Sequence, residues 1–251
     1  MKVRIKYTKT EHFKFIGHLD LMRYFQKAVK RAGLDIAYSQ GFSPHQLMSF
    51  AAPLALGVTS EGEYFDAEFN SLISSDEFVK RLNEQMTEGV MVKDVILLPD
   101  RAKNSMSLVA ASDYYITSVN RGEESLPEAD WKKVMSGTEQ LLAQEHIEIL
   151  RKTKNNEKIE DIRKGIYKLY SEADKLYPET DRLDPKADKL YMLLATGSEY
   201  NLKPELVVEA LCREQEVTYN RLDYQVHRIE TYMKDDKGNL VSLLESGTRI
   251  E

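Results

Sequence analysis

"KVRIKY", residues 2–7, sets three apolar side chains against three cations in strict alternation: Val3, Ile5 and Tyr7 against Lys2, Arg4 and Lys6. A period of two puts them on opposite faces of a β-strand, one apolar and one basic. The next periodic segment is helical. From His18 to Gly33, residues Leu21, Met22, Phe25, Ala28, Val29 and Ala32 recur at helical spacing and form one stripe. Arg23, Lys27 and Arg31 recur every four residues on another side, with Lys30 beside them. Asp20 in the first turn suits the positive end of the helix dipole, and Gly33 is a good stop.

Working outward, "SFAAPLALGV" reads as a strand interrupted at Pro53. "EYFDAEF" sets Tyr64, Asp66 and Glu68 against Phe65, Ala67 and Phe69, a partly exposed strand. "SSDEFVKRLNEQM" reads as a second helix and "VMVKDVILL" as a closing strand. The order β-α-β-β-α-β is that of a ferredoxin-like split βαβ unit, with both helices on one sheet face. On that reading Lys2, Arg4 and Lys6 point to an open face. Residues 99–112 lose periodicity and read as a linker.

The pattern then recurs: strand "DYYITSV", helix "PEADWKKVMSGTEQLLAQE", strands "HIEILRKT" and "KLYMLLAT", helix "KPELVVEALC" with Pro204 in its first turn, and strand "YQVHRIETYM". The expected class is therefore α+β: two tandem ferredoxin-like units, at residues 1–100 and 113–251. The second carries an insertion over residues 155–188, which reads either as a helix or as an irregular arm.

With 42% hydrophobic and 30% charged residues, the chain of 251 can bury a core. No apolar run approaches the ~20 residues that span a bilayer, and no apolar stretch follows the basic start, as a secretory signal would need. The single cysteine, Cys212, allows no internal disulfide and no iron–sulfur cluster, which takes about four thiolates. These features read as a soluble cytoplasmic protein without its own cofactor. Net charge is −6, yet residues 1–50 hold nine Lys and Arg against three Asp and Glu. A basic surface on an acidic body suits a polyanion or a complementary protein; it also suits a merely solvated face.

Two histidines fall in this basic region. His18 sits in "FIGHLD", residues 15–20, and His45 in "QGFSPHQLMSF", residues 40–50, where Gly41 and Pro44 enforce a turn. Four uses fit. His18 caps the helix while His45 hydrogen-bonds across the turn. Arg23, Ser39, His45 and the backbone amides of "QGFSP" hold a phosphate. His18, Asp20 and His45 bind a metal. His18 and His45 serve as acid and base in RNA cleavage. Lys2, Arg4, Lys6, His18, Asp20, Lys27, Arg31, Gly41 and Phe42 complete the candidate RNA-binding set, with His18 and His45 placing a phosphate or base. His12, His146 and His227 read as strand-surface or packing residues. Trp131, Tyr167, Tyr170 and Tyr177 read as core at helical spacing, with base stacking as the alternative.

The stretch from Arg4 to Phe69 resembles the radical-SAM-associated DUF2344 family. The resemblance is carried by Phe15, His18, Leu19, Asp20 and Arg23, then Arg31, Ala32, Tyr38, Ser39, Gly41, Phe42, Pro44 and His45, then Leu54, Gly57, Glu61 and Glu63. It continues more weakly in "EDIRKGI", "KPELVVEAL" and "VHRIE". Gly17 replaces the family's usual serine and Gln46 its frequent proline. The resemblance implies a radical-SAM partner that supplies the iron–sulfur cluster and S-adenosylmethionine. It also implies an RNA context, ribosomal or transfer RNA, because members are often encoded near a ribonuclease and ribosomal proteins. The function expected is an accessory, non-catalytic, RNA-presenting subunit. The alternatives are a metal-independent RNA-processing enzyme using His18 and His45, or a protein-only adaptor.

Overall fold

A computed structural model describes residues 1–152, 157–171 and 188–251. The class is mixed α+β. In chain order the elements are β1 (Lys2–Lys9), α1 (His18–Arg31), β2 (Met48–Phe50), β3 (Thr59–Glu68), α2 (Ser75–Asn83), β4 (Val90–Leu97), α3 (Ser105–Leu108) and β5 (Val109–Ser118). There follow α4 (Glu128–Ser136), α5 (Thr138–Leu142), β6 (Glu148–Lys152), β7 (Glu157–Asp161), β8 (Ile166–Ser171), β9 (Leu190–Ala195), α6 (Pro204–Glu214), β10 (Tyr224–Lys234) and β11 (Leu240–Ser242). They form two compact units, Met1–Ala111 with Arg228–Glu251, and Ser112–His227. The division at 1–100 and 113–251 differs because Arg228–Glu251 folds with the first unit. Among the described residues no helix is long and apolar enough to cross a membrane.

In the first unit β1 lies between β3 and β4, antiparallel to both, and β2 pairs antiparallel with β3. Val3, Ile5 and Tyr7 are buried as the alternation predicts. Leu21, Phe25, Ala28 and Val29 of α1 and Phe78 and Leu82 of α2 pack into the same core. Phe25 meets Tyr7 and Phe65 at ring distances of 4.8 Å. Helix α2 starts where the Ser74 hydroxyl accepts from the Glu77 N–H.

The other sheet face is not open. Ala51, Tyr64, Val109, Met233 and Leu243 form a second apolar cluster. Residues 99–112, read as a linker, contain α3 and the start of β5, and Ser105 donates its N–H to Asp66 Oδ2 at 2.8 Å. Beyond this cover the chain runs on past the sheet edge: Thr248 bridges to Leu97 at the end of β4, and Ile250 N–H donates to Ser75 Oγ at the start of α2. Strand β3, expected half exposed, is therefore buried on both sides from Gly62 to Ala67. The strand read in "SFAAPLALGV" is reduced to β2.

In the second unit β5, β9 and β8 are neighbours in that order, and the start of β10 lies on the other side of β5. The helix read over 127–145 breaks at Gly137 into α4 and α5, where glycine weakens the helix. "HIEILRKT" supplies β6, which pairs with β7 in a separate two-stranded ladder. The helical alternative for the insertion fails over residues 157–171, which form β7, a tight turn and β8. Gly165 belongs to that turn, and a Cβ there would lie 2.5 Å from the Tyr200 ring. The rest of the insertion up to residue 187 lies outside the described residues.

Candidate functional site

Helix α1 and the loop that follows it carry most of the sequence candidates, and Gln46 ties the loop to the helix. Arg23, Lys27, Lys30 and Arg31 are all exposed. Residues four apart lie about 6 Å apart along a helix, so Arg23, Lys27 and Arg31 make a row. Arg23 is partnered by Asp20, NH1 to Oδ1 at 3.0 Å. Arg31 donates to the Gln85 carbonyl.

The loop from Tyr38 to Gln46 is closed by its own hydrogen bonds. Ser39 N–H donates to the His45 carbonyl at 2.8 Å, and His45 N–H donates to Ser39 Oγ at 3.1 Å. The same Oγ lies 2.8 Å from His45 Nδ1. Tyr38 and Gln46 form an isolated β-bridge. Gln46 Nε2 donates to the Gln26 carbonyl on α1 at 3.1 Å. The amide that stands at the family's frequent proline thus ties the loop to the helix. Gly41 holds φ +108 at the tip, a conformation glycine adopts without strain. Phe42 beside it is fully exposed, and Tyr38 is half exposed.

His45 therefore bonds across the turn. His18 does not cap its helix: Gly17 holds the cap position without a side-chain bond, and the His18 ring stands edge-on to Phe50 at 5.2 Å. No hydrogen bond or ring contact joins His18 to His45. Among the described residues no three His, Cys, Asp or Glu side chains gather closely enough to hold a metal. His18, Asp20 and His45 do not form such a group. The Ser39–His45 pair resembles a nucleophile and its base, but the same Oγ also accepts the His45 backbone N–H, which makes the pair a loop clamp.

The strand cations behave differently. Arg4 is fully buried. It forks onto Asp66, Nε to Oδ1 at 2.8 Å and NH2 to Oδ2 at 3.1 Å, and NH1 donates to Ser246 Oγ at 2.6 Å. Lys2 bonds Asn104 and lies 3.8 Å from Asp66. Lys6 pairs with Glu230, whose other oxygen accepts from Tyr64 OH. Arg4 cannot reach a ligand, so it leaves the candidate set; Lys2 and Lys6 are already partnered. The reason is the cover over this sheet face.

Sequence reasoning missed the buried pair Glu63–Arg228, 2.9 Å apart, and the buried Lys9, which donates to the Ile16 carbonyl two residues before α1. Burial pushes the Lys9 ammonium down, and the charge of Glu63 opposes the shift. Glu63 gave no signal of this, because its strand reads from sequence as partly exposed and carries other carboxylates. Phe15, Leu19 and Leu56 are also exposed, and Gly57 N–H bonds the Lys14 carbonyl.

In the second unit Trp131 is buried against Tyr224, as core. Tyr167 and Tyr170 lie on strand β8, not at helical spacing; Tyr167 is exposed and Tyr170 stacks on Tyr191 at 5.2 Å. Tyr177 lies outside the described residues. His227 is buried against Tyr115, His146 pairs with Asp161, and His12 is exposed.

Against known proteins, the family described as "Uncharacterized protein conserved in bacteria (DUF2344)" matches residues 2–204. The match includes the α1 row and the loop, and stops before "VHRIE". No curated protein matches the chain.

Proposed function

Because the chain belongs to the DUF2344 family, we propose that it is an accessory, non-catalytic partner of a radical-SAM enzyme and presents an RNA substrate to it. The radical-SAM part rests on the resemblance in Phe15, His18, Asp20, Arg23 and the "QGFSPH" loop. On this reading the partner carries the iron–sulfur cluster and S-adenosylmethionine, and the pair works in the cytoplasm on ribosomal or transfer RNA.

One observation carries the RNA part: Arg23, Lys27, Lys30 and Arg31 are all exposed on α1, beside a loop that lifts an aromatic ring into solvent. Phosphates take such cations, and the affinity that results falls steeply with salt. The finer fold reading fits the same role. We read the first unit as ferredoxin-like in the order β4-β1-β3-β2, and the second as β10-β5-β9-β8 with β6–β7 inserted. Strand β8 then takes the place that the sequence reading gave to β6.

The test is affinity capture from the native cell with ultraviolet crosslinking, beside an Arg23→Glu/Lys27→Glu control. The expected result is a crosslinked RNA that disappears in the control, together with a radical-SAM protein. A radical-SAM protein recovered without RNA would replace this reading with a protein adaptor. Turnover of RNA by the purified chain, lost in His45→Ala, would replace it with an enzyme.

A further inference from the structure

We propose that the loop from Tyr38 to Gln46 is a stacking platform for an unpaired base, so that the RNA is single-stranded where it meets this chain. The inference rests on the RNA reading above and names the substrate class for the same surface.

Four features lead to it. Phe42 is fully exposed and contributes nothing to either apolar cluster of its unit. A phenyl ring left in water gives up burial that the fold would otherwise use. The loop that carries the ring is also tied at its base. The Ser39–His45 bonds and the Tyr38–Gln46 bridge close it on either side of Phe42, and Gly41 turns the chain just before it. A ligand that meets a loop closed in advance has less backbone to order on binding.

Third, the loop is moored at the cationic row. Gln46 bonds the carbonyl of Gln26, one residue before Lys27 and three after Arg23. Fourth, Tyr38 at the loop's base is half exposed and offers a second ring. An aromatic tip beside a line of cations is the arrangement that binds single strands: cations follow the phosphates while a ring takes a base face. A duplex hides its base faces and could use the cations alone. An apolar protein partner would leave the exposed cations of α1 without a counter-charge, which suits this surface less than a polyanion does.

The experiment measures fluorescence anisotropy of the full chain with a labelled single-stranded RNA of mixed sequence, about a dozen nucleotides long, and with its duplex. Phe42→Ala, Phe42→Trp and Arg23→Glu/Lys27→Glu are compared with wild type, and circular dichroism checks each fold. The expected outcome is single strand bound on the order of tenfold tighter than duplex. Phe42→Ala should bind the single strand about tenfold more weakly, with Phe42→Trp restoring it. In an RNA carrying 2-aminopurine, quenching on binding should be lost in Phe42→Ala.

Equal affinity for both RNAs, or unchanged binding by Phe42→Ala, would overturn the platform. If Arg23→Glu/Lys27→Glu still abolished binding in that case, the RNA reading itself would stand. Absence of binding by wild type to either RNA would overturn both.

Discussion

Strand β1 and helix α1 carry the two basic runs of the first unit, and their cations end in opposite surroundings. Arg4 has no exposed surface and meets Asp66, 62 residues away, and Ser246, 242 residues away. Arg23 is exposed and pairs with Asp20, three residues before it on the same helix. Both runs have the periodicity of their elements, so both read from sequence as a basic face. Periodicity says which side chains share a face; it does not say what lies on that face. Residues 99–108 and the C-terminal segment cover one, and among the described residues no comparable segment covers the other. A long-range carboxylate partner is the mark of the structural cation, and a local partner the mark of the available one.

The sharpest way to break the comparison is to delete Arg4. Its removal leaves the Asp66 carboxylate buried, still accepting from Ser105 N–H but without its main counter-charge. Breaking a buried pair from one side costs about 3–5 kcal/mol. Arg4→Ala should therefore lower the urea midpoint strongly with little change in slope. A loss below about 1 kcal/mol, the range of exposed pairs, would mean that β1 and α1 do not differ as described.

The second unit shows another way to bury a titratable group. His227 is packed against Tyr115 with Lys189 nearby. Burial, helped by the charge of Lys189, holds its imidazole down at about 4. Arg4 is buried as an ion pair; His227 is buried neutral. The unfolded chain takes up that proton near pH 6.5, while the folded chain resists it until about pH 4. The stability from His227 is thus complete above pH 6.5 and drains away as pH falls toward 4. A shift of this size amounts to roughly 3 kcal/mol. His227→Phe keeps a ring against Tyr115 and cannot titrate. The difference in unfolding free energy between wild type and variant should therefore change by about that amount from pH 7 to pH 4. A parallel pair of pH curves would show that His227 titrates normally in the fold.

These contrasts also show what the sequence makes legible. Helix α1 was read over His18–Gly33 and ends at Arg31, because an apolar stripe and a stop glycine are local signals. Strand β1 was read from alternation in the same way. The cover on the second sheet face was not legible, since residues 99–108 and 240–251 have no sustained period and act through single bonds such as Ser105 to Asp66. The β6–β7 ladder was missed because a short polar hairpin looks like any polar insertion. At the candidate site, the turn at Gly41 and Pro44 was readable. The Gln46 anchor on Gln26 was not, because an amide's partner twenty residues away leaves no pattern.

The smallest effect on stability belongs to the cations proposed to bind RNA. Arg23 and Asp20 are both mostly exposed, 65% and 68% of their side-chain surface. Such a pair contributes about 0.3–0.5 kcal/mol on a helix. Arg23→Ala should therefore leave the urea midpoint nearly unchanged while weakening RNA binding and flattening its salt dependence, by about 0.7 in slope for one lost phosphate contact on a single strand. Lys27→Ala should add a similar decrement, since the two point along the same row. A stability loss of 2 kcal/mol or more in Arg23→Ala, far above the ordinary range for surface changes, would make α1 a structural face like β1. Unchanged salt slopes in both variants would move the RNA contact away from this helix.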